Sequence, residues 1–255
     1  MAFTAECRSD PISVFDLVLP PATRNDWDMS RWEIRVAIAL TGAVFAGGMV
    51  APAYAAPVKA TTEVLAVDAL AALAVKGRAP KTGYARSEFG QTWADVDRNG
   101  CDTRNDILKR DLTEIIYKEK TRNCVVLSGI LVDRYSGETI NFVRGNITSM
   151  EVQIDHVVAM SNSWQTGAFQ LTLAQRTAFA NDPMNLFAVK GRLNSQKRDG
   201  DAATWLPPLK KFRCAYIAQQ IAVKAKYSLW VTAPEKDAMT RILATCPKQV
   251  LPSNE

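Results

Sequence analysis

The segment that most constrains this chain is an uncharged run of 15 residues, 36–50, set between two arginines and a string of small residues. Arg31 and Arg35 precede it, and Ala51-Pro-Ala53-Tyr54-Ala55-Ala-Pro57 follows it. A charged stretch, an apolar stretch and an A-x-A site, here Ala53-Tyr54-Ala55, stand in the order of a secretory signal. The run is shorter than the about 20 residues that a membrane helix needs. That favours cleavage near Ala55 over the other reading, an uncleaved N-terminal anchor. Residues 1–28 lie upstream of the charged stretch, where such a signal should begin, so Met29 is read as the true start and 1–28 as an extension. Residues 1–55 are expected to stand apart from the fold, and the mature protein is expected to be secreted.

The cut changes what the remainder can become. Four arginines and six acids leave with it, and the 200 residues that remain carry 27 basic against 20 acidic side chains, a net of +7. Cys7 leaves as well, so Cys101, Cys124, Cys214 and Cys246 remain. Four cysteines in an exported chain read as two disulfides with three possible connectivities; reduced thiols in a core are the alternative. There is no CxxC pair and only one histidine, His156, which excludes the usual zinc fingers and every multi-histidine metal centre. The apolar fraction of 47% excludes global disorder. The positive balance suits an anionic partner: nucleic acid, a phospholipid surface or a wall polyanion.

Local patterns then place the elements. Residues 56–80 read as an Ala-rich linker with a short helix over 62–74, and 81–250 as the functional domain. Asp95-Val-Asp97-Arg-Asn99-Gly100 opens like a calcium loop, but Asp106 stands where a bidentate Glu belongs, so a tight Asx/Gly turn is preferred. Thr103 is expected to cap the helix that follows. Two β-branched runs, 124–133 and 138–143, flank Arg134-Tyr-Ser-Gly137 and predict a hairpin. A further strand is expected over 152–158, a capped helix from Thr172 to about Ala180, a strand over 185–190 and a helix over 191–199 ended by Gly200. Two closing helices, one over 209–227 and one starting at Pro234, are joined by a short connection and must form a hairpin. In that antiparallel pair Cys214 and Cys246 become neighbours, which leaves Cys101 for Cys124.

The chemistry concentrates between residues 154 and 199. Asp155-His-Val-Val158 ends one strand, Asn185-Leu186 opens the next, and the helix after it carries Asn194-Ser-Gln-Lys197. In this order the chain resembles the HNH (His-Me finger) endonucleases, and within them the small exported proteins related to the C-terminal domain of GmrSD restriction enzymes. Val75-Lys-Gly-Arg-Ala-Pro-Lys-Thr-Gly-Tyr84, Asn99-Gly-Cys-Asp-Thr-Arg-Asn-Asp106 and Trp205-Leu-Pro-Pro208 extend the likeness over about residues 75–246. The resemblance implies an α+β fold: a ββα-metal core with an additional β-hairpin and a C-terminal helical hairpin.

It also implies roles. His156 is the base that activates water, since imidazole titrates near neutrality. Asp155, on the other side of the strand, and Asn194 would offer hard oxygens to a divalent cation, Mg²⁺ or Mn²⁺. Asn185 would hold the loop or orient His156. Lys197, one helical turn from Asn194, would steady the phosphate. Arg104 is a candidate phosphate ligand, Arg192 and Arg198 are read as solvated charges that steer phosphate, and Trp205 as a core plug. DNA is the expected partner, with RNA open. No stable membrane association is expected after cleavage. The competing readings are a non-catalytic exported protein that binds nucleic acid or a wall polymer, and a calcium-binding structural protein. Residues 56–100 are too short for the nucleotide-hydrolysing module of GmrSD enzymes, so nucleotide dependence is not expected.

Overall fold

The computed structural model describes residues 63–253; the stretch read as a signal, its expected cleavage site, Met29 and Cys7 lie outside the described residues. In chain order the elements are α1 (Ala66–Ala72), α2 (Thr103–Asp111), β1 (Leu112–Tyr117), β2 (Val126–Val132), β3 (Thr139–Val143), β4 (Val152–His156), α3 (Met160–Gln165), α4 (Leu173–Ala180), β5 (Leu186–Lys190), α5 (Gly191–Lys197), α6 (Arg213–Lys226) and α7 (Ala233–Leu243). The fold is mixed α+β with two separate antiparallel sheets, β1-β2-β3 and β4-β5.

The β4–β5 ribbon is the centre of the molecule. It runs in register from Val152 opposite Lys190 to His156 opposite Leu186. Side chains alternate across a strand, and here both faces are covered. Val152, Ile154, Leu186 and Ala188 pack with α2 and the larger sheet. Phe187 and Val189 pack into the cluster built by α1, α6 and α7. Burial on both faces explains why Leu186-Phe-Ala-Val189 is an unbroken apolar run. α5 leaves β5 without a loop, and only glycine fits at the joint. A Cβ on Gly191 would come within 1.9 Å of the Met150 carbonyl oxygen.

The expected hairpin is present as β2 and β3, paired from Ser128–Val143 to Val132–Thr139. It belongs to a three-stranded sheet, however, because β1 adds to β2. No Gly or Pro separates α2 from β1, so the sequence hides the boundary. Glu114 at φ +49° takes up a bulge between Thr113 and Ile116. Helix α3 was likewise not anticipated.

Four further expectations are corrected. Residues 63–80 are no linker: Ala66 and Leu70 of α1 are buried against α6 and α7, and Leu65 bridges to Val250. The cap of α2 is Asp102, which accepts from the Asn105 amide at 2.8 Å, while the Thr103 hydroxyl donates to the Ala94 carbonyl. α5 ends on Arg198 at φ +53°, before Gly200 is reached. α6 starts at Arg213, after a short 3-10 turn over Lys210–Phe212.

The loop at Asp95 is a tight turn. Asp95 accepts the amides of Asn99 and Gly100 at 3.0 and 2.9 Å. Among the described residues no group of three or more His, Cys, Asp or Glu is set to hold a metal ion. Capping boxes start α4 (Thr172 with Gln175) and α7 (Thr232 with Glu235). α6 and α7 pack as a hairpin and share a buried ion pair, Lys224–Glu235 at 2.9 Å. Both disulfides form as paired from the sequence, Cys101–Cys124 and Cys214–Cys246.

Replacing Cys214 and Cys246 together by serine should lower unfolding stability by about 3–4 kcal/mol, because a loop of tens of residues is then free in the unfolded chain. Urea unfolding of the double variant against the parent checks this, and an unchanged midpoint would refute it.

Candidate active site

The end of β4 opens onto a cleft of about 640 Å³. Strand periodicity sends His156 and Asp155 to opposite faces, and each meets a different environment. Gln153, Asp155 and His156 contribute from β4, Asn194 and Ser195 from α5, and Arg198 and Asp199 follow that helix. Arg104 of α2 and the segment with Lys81, Arg86 and Trp93 complete the lining.

His156 is half-buried, with its ring stacked on Trp93 at 6.0 Å between centroids and 18° between planes. Its Nε2 lies 2.9 Å from the Ala180 carbonyl. A carbonyl can only accept, so Nε2 carries the proton of the neutral ring and Nδ1 is left as the acceptor. Burial pushes the imidazole pKa down to about 4, against the smaller opposing pulls of the Ala180 carbonyl and Asp155. The ring is therefore neutral, with Nδ1 unprotonated, throughout the neutral range, and it is a weaker base than the free imidazole titrating near neutrality that the sequence suggests.

Asn185 fixes the chain just beyond the histidine. It is fully buried; its Oδ1 accepts the Val158 amide at 2.8 Å, and its Nδ2 donates to the carbonyls of Val158 and Phe179. Asn194 is oriented by Gln153, whose Oε1 accepts from Asn194 Nδ2 at 2.9 Å. With the amide nitrogen committed, the Asn194 Oδ1 is the atom left for a ligand. Gln153 was not singled out from sequence, although its place two residues before Asp155 puts it on the same strand face.

Asp155 and Lys197 sit differently from expectation. Lys197 has no exposed side chain. Its ammonium donates to Asp155 Oδ1 at 3.0 Å and to the His156 carbonyl at 2.7 Å, and lies 2.9 Å from Asp155 Oδ2 in the ion pair. Buried and paired with Asp155, Lys197 is corrected from a phosphate contact to a buried counter-ion. The Tyr135 hydroxyl, from the β2–β3 turn, donates to Asp155 Oδ2 at 2.5 Å. Tyr135 is fully buried, and Trp205, the expected core plug, packs edge-on against it at 5.0 Å. Asp155 still lines the cleft, and a carboxylate oxygen can accept more than one bond.

The cationic residues divide. Arg104 and Arg198 line the cleft, whereas Arg192 is exposed on α5 outside that lining. Arg104 is half-buried and forms no ion pair among the described residues. Burial, and then Arg144 nearby, lowers its pKa from the usual arginine value. A partly desolvated, unpaired guanidinium is poised for an anion. Lys81 pairs with Asp199 at 2.7 Å, and that bond holds the Asp199 carboxyl below its ordinary range. Arg86 lines the cleft without an ion-pair partner among the described residues. The basic, turn-rich stretch 76–86 was visible in the sequence, but its place on the cleft lining was not.

As pH falls from 6.5 towards 4, the unfolded chain protonates its histidine while the folded one does not. Stability should therefore fall across that window by at most about 1.4 kcal/mol per pH unit. Urea titrations from pH 4 to pH 7 should show this slope reduced in His156→Gln; an identical slope would place the effect elsewhere.

Residues 102–242 match the family described as GmrSD restriction endonucleases, C-terminal domain. An uncharacterized secreted protein of Arthroderma benhamiae is 37% identical over 179 residues, covering 69% of this chain and 82% of that protein. No solved structure matches.

Proposed function

The chain belongs to the family of GmrSD restriction endonuclease C-terminal domains, and on that premise we propose that it is a secreted, metal-dependent endonuclease that hydrolyses DNA with low sequence specificity. Secretion accords with its two disulfides and with the secreted relative. The β4–β5 ribbon followed by α5 is read as a ββα-metal finger, within a nuclease domain spanning residues 81–250 together with the packed α1 segment.

One observation carries the catalytic reading: His156 presents a neutral ring with Nε2 tied to a carbonyl, in a cleft that also holds an unpaired arginine. In this reading Nδ1 of His156 takes the proton of the attacking water. Arg104 and Arg198 hold the phosphate, and Asn185 keeps the base from turning. Arg192 steers from outside the cleft. Asp155 and Asn194 would hold the cation. One carboxylate oxygen and one amide oxygen, with phosphate and water completing the shell, fit Mg²⁺ or Mn²⁺. The cation, when bound, supplies positive charge to the phosphate and the leaving oxygen.

Low specificity follows from charge. The net +7 expected of the mature chain gives sequence-independent attraction to the phosphate backbone that weakens with salt.

His156→Ala should lower nicking of supercoiled plasmid by about 10²–10⁴-fold in Mg²⁺ or Mn²⁺ with the fold retained. Undiminished cleavage by that variant would remove His156 as the base. Arg104→Gln should weaken DNA binding across unrelated sequences and reduce the salt slope by about one. Fluorescence anisotropy at several salt concentrations reads both; an unchanged slope would take Arg104 off the phosphate.

A further inference from the structure

The cleft is already neutralised where a cation would enter. Its acids are Asp155 and Asp199. Asp199 is matched by Lys81 at 2.7 Å, and Asp155 by Lys197 at 2.9 and 3.0 Å. Arg86, Arg104 and Arg198 then remain as uncompensated positive charge on the lining. A divalent cation approaching the DNA-free protein meets three guanidinium groups and a carboxylate whose charge is spent. A polyanion meets the opposite.

The hold on Asp155 is a built one. Lys197 is fully buried and reaches from α5, while Tyr135 reaches from a turn of the other sheet. The ammonium donates to one carboxylate oxygen and the hydroxyl to the other, so both oxygens already accept a bond from the protein. Lys197 cannot swing towards solvent without leaving a buried carboxylate unpaired, which is unfavourable.

We propose that Lys197 and Tyr135 make cation binding conditional on substrate. They keep Asp155 satisfied in the DNA-free protein, so the site takes a divalent cation tightly only after a phosphate has entered and offset the arginines. The inference rests on the reading of Asp155 and Asn194 as cation ligands. It assigns to Lys197 and Tyr135 a positioning role on Asp155.

Mn²⁺ titrations of the secreted chain followed by electron paramagnetic resonance, without DNA, test it independently of cleavage. Lys197→Met should bind Mn²⁺ at least about tenfold more tightly than the parent, because a unit charge beside the carboxylate is gone. Lys197→Arg should show no such gain, and adding Asp155→Asn to Lys197→Met should abolish it. Tyr135→Phe, which frees one lone pair and alters no charge, should tighten binding by a few-fold, and it carries the test if Lys197→Met lacks a cooperative urea transition. In the His156→Ala background, a short DNA duplex, with its own Mn²⁺ binding subtracted, should raise the affinity of the chain with Lys197 intact. If Lys197→Met and Tyr135→Phe bind Mn²⁺ like the parent while Asp155→Asn and Asn194→Ala still weaken the DNA-bound ion, the conditional hold is refuted and the ligand reading stands. If Asp155→Asn and Asn194→Ala change nothing with or without DNA, the ligand reading itself fails.

Discussion

The ion pair between Asp155 and Lys197 is the contact on which the rest of the cleft depends. It joins β4 to α5 across the ribbon, and through Tyr135 it reaches the turn of the three-stranded sheet. Three separate elements thus converge on one carboxylate. An ion pair taken this far out of water gains only if every remaining bond is made. Here the ammonium also donates to the carbonyl of His156, so the same lysine that pairs with Asp155 also fixes the backbone of its neighbour. The backbone of His156 and the carboxylate of Asp155 beside it are thus held by one side chain.

Around that pair the fold uses opposite faces of a single ribbon for two tasks. One face of β4 carries His156 towards Trp93 and the α2 side; the other carries Asp155 and Gln153 towards α5 and the Tyr135 cluster. The alternation of a strand separates the imidazole from the carboxylate and the amide without a loop. The close joint at Gly191 keeps α5, and Asn194 with it, against the strand.

Much of this was legible in the sequence where the signal is local. Thr172 with Gln175 announces a helix start, the apolar run after Asn185 announces a buried strand, and the two closing helices announce the Cys214–Cys246 pairing. What stayed hidden depends on partners far along the chain. Lys197 reads as a phosphate contact until Asp155, 42 residues earlier, is placed beside it. Tyr135 reads as a turn residue until its hydroxyl is seen to end on the same carboxylate. β1 lacks a break before it, and α3 follows a strand with no Gly or Pro between them, so neither was marked by its own residues.

The bridge between Leu65 and Val250 brings the two ends of the described region side by side, with α1 wedged against α6 and α7. Ends that meet can be joined. A short linker from residue 253 to residue 63, with new termini opened in an exposed loop, would give a circular permutant whose elements keep all their neighbours. The same closure makes α1 a clasp. A fragment cut at residue 81 would lose Ala66, Leu70 and Leu73 from the cluster that backs β5, and would expose the apolar faces of α6 and α7 that they cover.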